Sequence, residues 1–188
     1  MAKPFEIYLP REIINKLEES NCLVKGQTKQ VPADAFGGLN RTLSWINKCN
    51  CALLSGWRKD NQRKVNDENN RTILQVLRDK GYGVCRCRGY YPESGNKINV
   101  ENSFFVIDLK HTGEEFFECV KTLAMSFNQN CFLFIEENGR KRFLYGTNDY
   151  FGNGRKEPLG PLHIGAMEGE CFTKFGNKEM VFRSDDDS

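Results

Sequence analysis

One stretch limits the fold more than any other. "CALLSGW", residues 51–57, is short and apolar; "RKDNQRKVN" is polar; then "NDENNRTILQVLRDKG" places Ile73, Leu74 and Leu77 on one stripe. The first reads as a buried strand and the last as an amphipathic helix. Asn66 or Asp67 can cap that helix by accepting a bond from a free N–H, and Gly81 can end it in the left-handed conformation. A strand that hands over to such a helix must bury the stripe against a sheet. Arg58, Asn66 and Asn70 cluster at the handover, the kind of place where functional groups gather.

The rest of the chain extends this pattern. "PREIINKLEES", residues 10–20, reads as a short helix, residues 21–38 as loop, and "GLNRTLSWINKCN" as a second helix. "YGVCRCRGYY" alternates as a strand, "PESGNKINVE" is a turn, and "NSFFVIDL" is apolar enough for a central strand. Thr112 to Glu115 has the form of a capping box, opening a helix with Phe116, Val120, Leu123 and Phe127 on one face. "CFLFIEENGRKRFLYG" is a hairpin around Asn138-Gly139. Residues 147–165 read as a long loop, followed by a short element and a last edge strand. The expected fold is α+β: one domain, with a mixed or mainly antiparallel sheet and helices packed on it. Residues 1–38 form an N-terminal helical extension and loop. Residues 39–146 form the core, and residues 147–188 a C-terminal loop, edge element and acidic tail.

A chain of 188 residues can bury a core without staples. Its net charge of +2 does not announce a nucleic-acid partner. Nine Lys or Arg against four acids between Trp57 and Gly89 suggest either a local basic surface or a solvated charged face. "MAKPFEIYLPREII" lacks the apolar region of a signal peptide, and no run is long enough to span a membrane. A cytoplasmic protein with mostly reduced cysteines is expected.

Among reactive residues, "CNC" (49–51) and "CRC" (85–87) could bring four sulfurs together if their strands were neighbours. C-x-C is not the common zinc spacing, and buried structural cysteines explain them more simply. Neither His111 nor His163 has a partner at nucleophile spacing. The glycines of "GYGVCRCRG" and "GNGRKEPLG" do not make a phosphate loop. No metal or cofactor is expected. Arg58, Asn66, Asn70, Glu101, Ser103 and Gln129 all lie near element ends and make up a candidate ligand-binding set. Arg58 offers a planar fork for phosphate or carboxylate, the amides read hydrogen-bonding edges, and Glu101 can act as a base or pair with Arg58. Equally, the set can be a polar network that ties a helix to the sheet. A second set, Lys59, Arg63, Arg86, Arg88, Tyr90 and Tyr91, could contact nucleic acid or a partner through phosphate contacts and stacking.

The same positions support a resemblance. "LLSGWR", then Asn66, Asn70, Ile73 and Leu77, "GYG", "GYYPE", "ENSFFV" and "LAMSFNQ" follow in order. From about Leu39 to Tyr145 the chain resembles a widespread family of uncharacterised bacterial and phage proteins, a domain of unknown function. The resemblance implies a phage or mobile-element accessory product. Such products include non-catalytic anti-defence inhibitors, among them anti-CRISPR proteins, that bind a host defence protein or nucleoprotein complex, or nucleic acid. That reading is put first. The alternative is a small nucleotide- or phosphate-binding enzyme using Arg58, Asn66, Asn70, Glu101, Ser103 and Gln129. A third reading makes the polar set purely structural.

Overall fold

In the computed structural model the chain is described at residues 44–93, 97–137, 139, 141–160, 162–164, 172–175 and 178–182. The helix expected at residues 10–20 lies outside them. The second helix is described only as a turn, Ser44 to Ile46.

Strand β1 (Cys51–Leu54) leads through the polar loop into α1 (Arg63–Asp79). Strands β2 (Gly83–Glu93) and β3 (Lys97–Ile107) form a long antiparallel hairpin, and α2 (Glu114–Ser126) leads to β4 (Cys131–Ile135). The four strands lie in the order β4-β1-β3-β2, and each bonded pair is antiparallel. Each helix therefore returns the chain to a strand parallel to the one it left, one strand over. This is the split βαβ arrangement, used twice. Further strands widen the sheet on both sides: β5 (Arg142–Gly146) and β6 (Lys156–Pro158) beyond β4; β8 (Phe172–Phe175), β9 (Lys178–Phe182) and β7 (Leu162–Ile164) beyond β2. The fold is α+β, as expected.

Pleating divides the apolar residues between two faces. Phe104 and Val106 point to the side covered by α1 and α2, where Ile73, Leu77, Phe116 and Leu123 close the main core. Phe105 and Ile107 point the other way and pack with Cys51, Leu133, Ile135 and Phe175, with Ile46 against them. The crossovers bring four termini to one end of the sheet: the end of β1, the start of α1, the end of α2 and the start of β4.

Local signals hold unevenly. Helix α1 ends as its sequence implies. Gly81 has φ +79°, its N–H donates to Arg78 O at 2.8 Å, and Tyr82 N–H donates to Leu77 O at 3.0 Å, a complete Schellman pair. Its start differs. Helix α1 begins at Arg63, with no side-chain cap, so Asn66 lies inside the first turn and is free for other work. The Thr112–Glu115 capping box does not form. The N-cap is Gly113, and the fully buried Asp108 accepts from Gly113 N–H at 2.8 Å and from the Thr112 hydroxyl at 3.1 Å. Residues expected as turn at 92–101 are largely strand, because β2 and β3 pair along eleven residues each. The stretch read as loop from 147 contains β6 and β7, and β9 lies inside the sheet while β7 forms its edge.

Asp108 thus holds the start of α2. Asp108→Ala removes a buried acceptor shared by two partly buried donors and should destabilise the protein by about 1–3 kcal/mol in chemical denaturation. A change below about 0.5 kcal/mol, the range of ordinary surface substitutions, would remove Asp108 from that role.

Candidate functional site

The loop leaving β1 is held by side chains of α1. Asn70 Oδ1 accepts from Gly56 N–H at 2.8 Å, while its Nδ2 donates to Asn102 O on β3 at 3.0 Å. Asn66 reads both backbone groups of Arg58: Oδ1 accepts from its N–H and Nδ2 donates to its carbonyl, each at 2.8 Å. Asn69 Nδ2 donates to Gly56 O at 3.1 Å. Gln129 Nε2, at the exit of α2, donates to Trp57 O at 3.0 Å. A Cβ on Gly56 would lie 2.8 Å from Asn69 Cβ, so only glycine permits this approach of loop to helix. Three members of the candidate ligand set, Asn66, Asn70 and Gln129, are therefore engaged with the protein's own backbone.

The other three stand differently. The Arg58 guanidinium donates to Asn128 O and, at 3.0 Å, to Asn130 Oδ1; Asn148 Nδ2 donates to the same Asn130 oxygen at 2.9 Å. These bonds tie the loop to the α2–β4 junction. Glu101 and Ser103 alternate with Phe104 and so lie on the sheet face away from the helices. Burial pushes the Glu101 carboxyl up to about 7, against the opposing pull of a Ser55 hydrogen bond and the Arg58 charge. The single Ser55 hydroxyl proton also reaches Asn102 O at 2.8 Å. Asn70 already serves that carbonyl, so the hydroxyl can turn to the carboxylate when Glu101 is ionised. A buried carboxyl that changes charge near neutrality, beside an arginine and a serine, can pair with a cation or exchange a proton.

In the second candidate set, Arg86, Arg88 and Tyr90 alternate along β2 and so share one of its faces, while Lys59 and Arg63 lie in the loop and at the start of α1. Arg63 is 88% exposed, with Asp67 3.9 Å away. Arg86 and Arg88 stand exposed on β2, Lys59 lies in the loop next to Asp60, and Tyr90 is half-buried. Tyr91 is placed only as a residue of β2. The cysteine pairs do not meet, because β3 runs between β1 and β2. His163 lies in β7, not in a loop.

Sequence spacing missed two features. Cys49 Sγ is 4.0 Å from His111 Nε2, and His111 Nδ1 is 3.9 Å from Glu137, across 62 residues of chain separating Cys49 from His111. The order resembles a nucleophile triad. Burial first, then the charges of Asp108 and Glu137, push the Cys49 thiol up, however, which opposes thiolate formation. Nearby, at the end of the sheet opposite Arg58, is a cleft of about 340 Å³ with Phe117, Phe134 and Phe143 on its wall. Lys156 already lies over it, 4.9 Å from the centre of the Phe143 ring. Asparagines 69, 102, 128, 130 and 148, with Ser55, also escaped the sequence reading; they are ordinary polar residues until the fold brings them together.

Residues 52–184 match the model of the S-adenosylmethionine lyase family. A solved structure of a phage SAM lyase in complex with S-methyl-5'-thioadenosine matches with 22% identity. It covers 53% of this chain and 90% of its own, with a TM-score of 0.34. No curated protein matches. The family match replaces a family without activity by one named for a reaction. It also extends past Tyr145, where the resemblance stopped. The expectation of a non-catalytic inhibitor of the anti-CRISPR kind, bound to a defence nucleoprotein or nucleic acid, is overturned. The family is named for a small sulfonium compound, not for a nucleoprotein. With more than two thirds of its length matched, the chain belongs to the S-adenosylmethionine lyase family.

Proposed function

We propose that the protein is a lyase that splits S-adenosylmethionine, and that the site is the patch around Glu101. The family match over residues 52–184 is the observation on which this reading rests. The sulfonium makes a neutral thioether the leaving group. When the Cγ–S bond breaks, its electron pair stays on sulfur and S-methyl-5'-thioadenosine departs. The four-carbon fragment balances without water, either by losing a Cβ proton to a base or by closing its own carboxylate oxygen onto Cγ. Glu101 has a role in both routes. As a carboxylate it pairs with the α-ammonium of the substrate, and with a carboxyl near 7 it can accept a proton at neutral pH. Arg58, fixed on Asn128 and Asn130, is a positioning residue that keeps positive charge close to Glu101. Asn66, Asn70 and Gln129 keep the loop that presents Ser55 and Arg58 in place.

Incubation with S-adenosylmethionine should release S-methyl-5'-thioadenosine, measured by chromatography. Glu101→Gln keeps the shape and loses the charge, so kcat/KM should fall at least about a hundredfold, as for loss of a buried charged partner. Intact substrate after incubation with the wild-type protein would contradict the reading.

Binding should also depend on pH. Below about 7 the free carboxyl is protonated, and pairing with a cation requires it to lose that proton. Affinity should therefore rise with pH, by up to about tenfold per unit, and level off above about 7. In Glu101→Gln the profile should be flat. Folding has the same origin with the opposite sense: a raised carboxyl binds its proton more tightly folded than unfolded, so this group's contribution to stability falls as pH rises toward about 7. A wild-type affinity profile flat between pH 5.5 and 8 would remove Glu101 from the binding step.

A further inference from the structure

Ser103 poses a question the proposed reaction leaves open. Its residue is 2% exposed, and its hydroxyl has no hydrogen-bond partner among the described residues. A buried hydroxyl without a partner is a net cost to the fold. The register shows what surrounds it. Ser103 is opposite Cys87 on β2, and one step beyond the Leu54–Phe104 pair it faces Ser55 on the β1 side. The next row on the same face holds Glu101, Gly89 and Thr173. Serine, cysteine, glycine and threonine are small; Phe105 borders them in the next row, and the register continues to set Phe175 beside Cys87, at the end of the Ser103 row. The result is a patch of small side chains with one carboxyl and one unsatisfied hydroxyl, two residues apart on a single strand.

We propose that this patch reads the amino-acid end of S-adenosylmethionine as a zwitterion: Glu101 takes the α-ammonium and the Ser103 hydroxyl donates to the α-carboxylate. The inference rests on the lyase reading and adds the group that selects the carboxylate. Placing the anion on Ser103 and the cation on Glu101 avoids bringing two carboxylates together. It also supplies the missing acceptor for Ser103. A bond to one carboxylate oxygen leaves the other unengaged.

The test compares two ligands on two proteins by calorimetry. One is a non-cleavable analogue of S-adenosylmethionine with nitrogen in place of sulfur and both charged groups of the amino acid. The other is decarboxylated S-adenosylmethionine, which keeps the ammonium and lacks the carboxylate. Ser103→Ala should weaken the first about tenfold, the loss of one charge-assisted hydrogen bond. It should leave the second unchanged. The melting temperature should stay equal or rise, because the substitution removes an unsatisfied polar group. Equal weakening of both ligands, or of neither, would overturn the assignment, as would a lowered melting temperature accompanied by equal loss. A wild-type protein that binds neither ligand would overturn the lyase reading itself, and the assignment with it.

Discussion

Two asparagine side chains on α1 set the geometry at the site end of the sheet. Asn66 pairs with both backbone groups of Arg58, and Asn70 bridges Gly56 to Asn102. Both are buried, so their amides must be matched inside the protein, and the matching groups belong to the loop leaving β1. The bonds join three elements: the end of β1, the first turns of α1 and, 32 residues further along the chain, the middle of β3. Gln129 adds the exit of α2. Once the loop is fixed, the direction of Ser55 and the root of Arg58 are fixed too, and both act on Glu101. Rigidity in a supporting layer is what a site needs to hold a charged substrate without reorganising.

This division of labour explains why the polar set resists a single label. Asn66, Asn70, Gln129 and Arg58 tie the protein's own elements together, whereas Glu101 and Ser103 lie on the sheet face away from the helices. The asparagines and Gln129 spend their hydrogen bonds on backbone, whereas Glu101 is a carboxyl whose charge burial disfavours and Ser103 a hydroxyl with no partner among the described residues. Unmatched polar groups in an otherwise matched neighbourhood mark where a ligand can complete the bonding.

Much of the frame was legible in the sequence because it is written locally. The stripe of Ile73, Leu74 and Leu77, the apolar run of β1, the alternation of β2 and the Gly81 terminus each report on neighbours within a few residues. Features fixed by distant partners were not legible. Asn66 looks like a cap, yet serves a loop eight residues back. Thr112 looks like a cap, yet yields to Asp108, which the β3–α2 turn brings underneath. The short strands β6 and β7 have too few residues to show a period and exist because β5 and β9 offer them edges. At the candidate site, Glu101 and Ser103 read in the sequence as the start of a strand, but the pairing of β2 with β3 extends β3 back to Lys97 and puts both in its middle. That Asn128 and Asn130 would hold Arg58, and Asn102 would serve Asn70 and Ser55, follows only from the topology. The basic count between 57 and 89 says nothing of direction: Arg86 and Arg88 share a face of β2, while Arg63 opens α1.

The most direct measurement is a crystal structure with the non-cleavable analogue of S-adenosylmethionine. The proposed arrangement predicts density for its amino-acid end on the sheet face of Glu101, with the ammonium against that carboxylate and the carboxylate within hydrogen-bond reach of Ser103 Oγ. Density instead in the aromatic cleft beside Lys156, with Glu101 and Ser103 untouched, would contradict it.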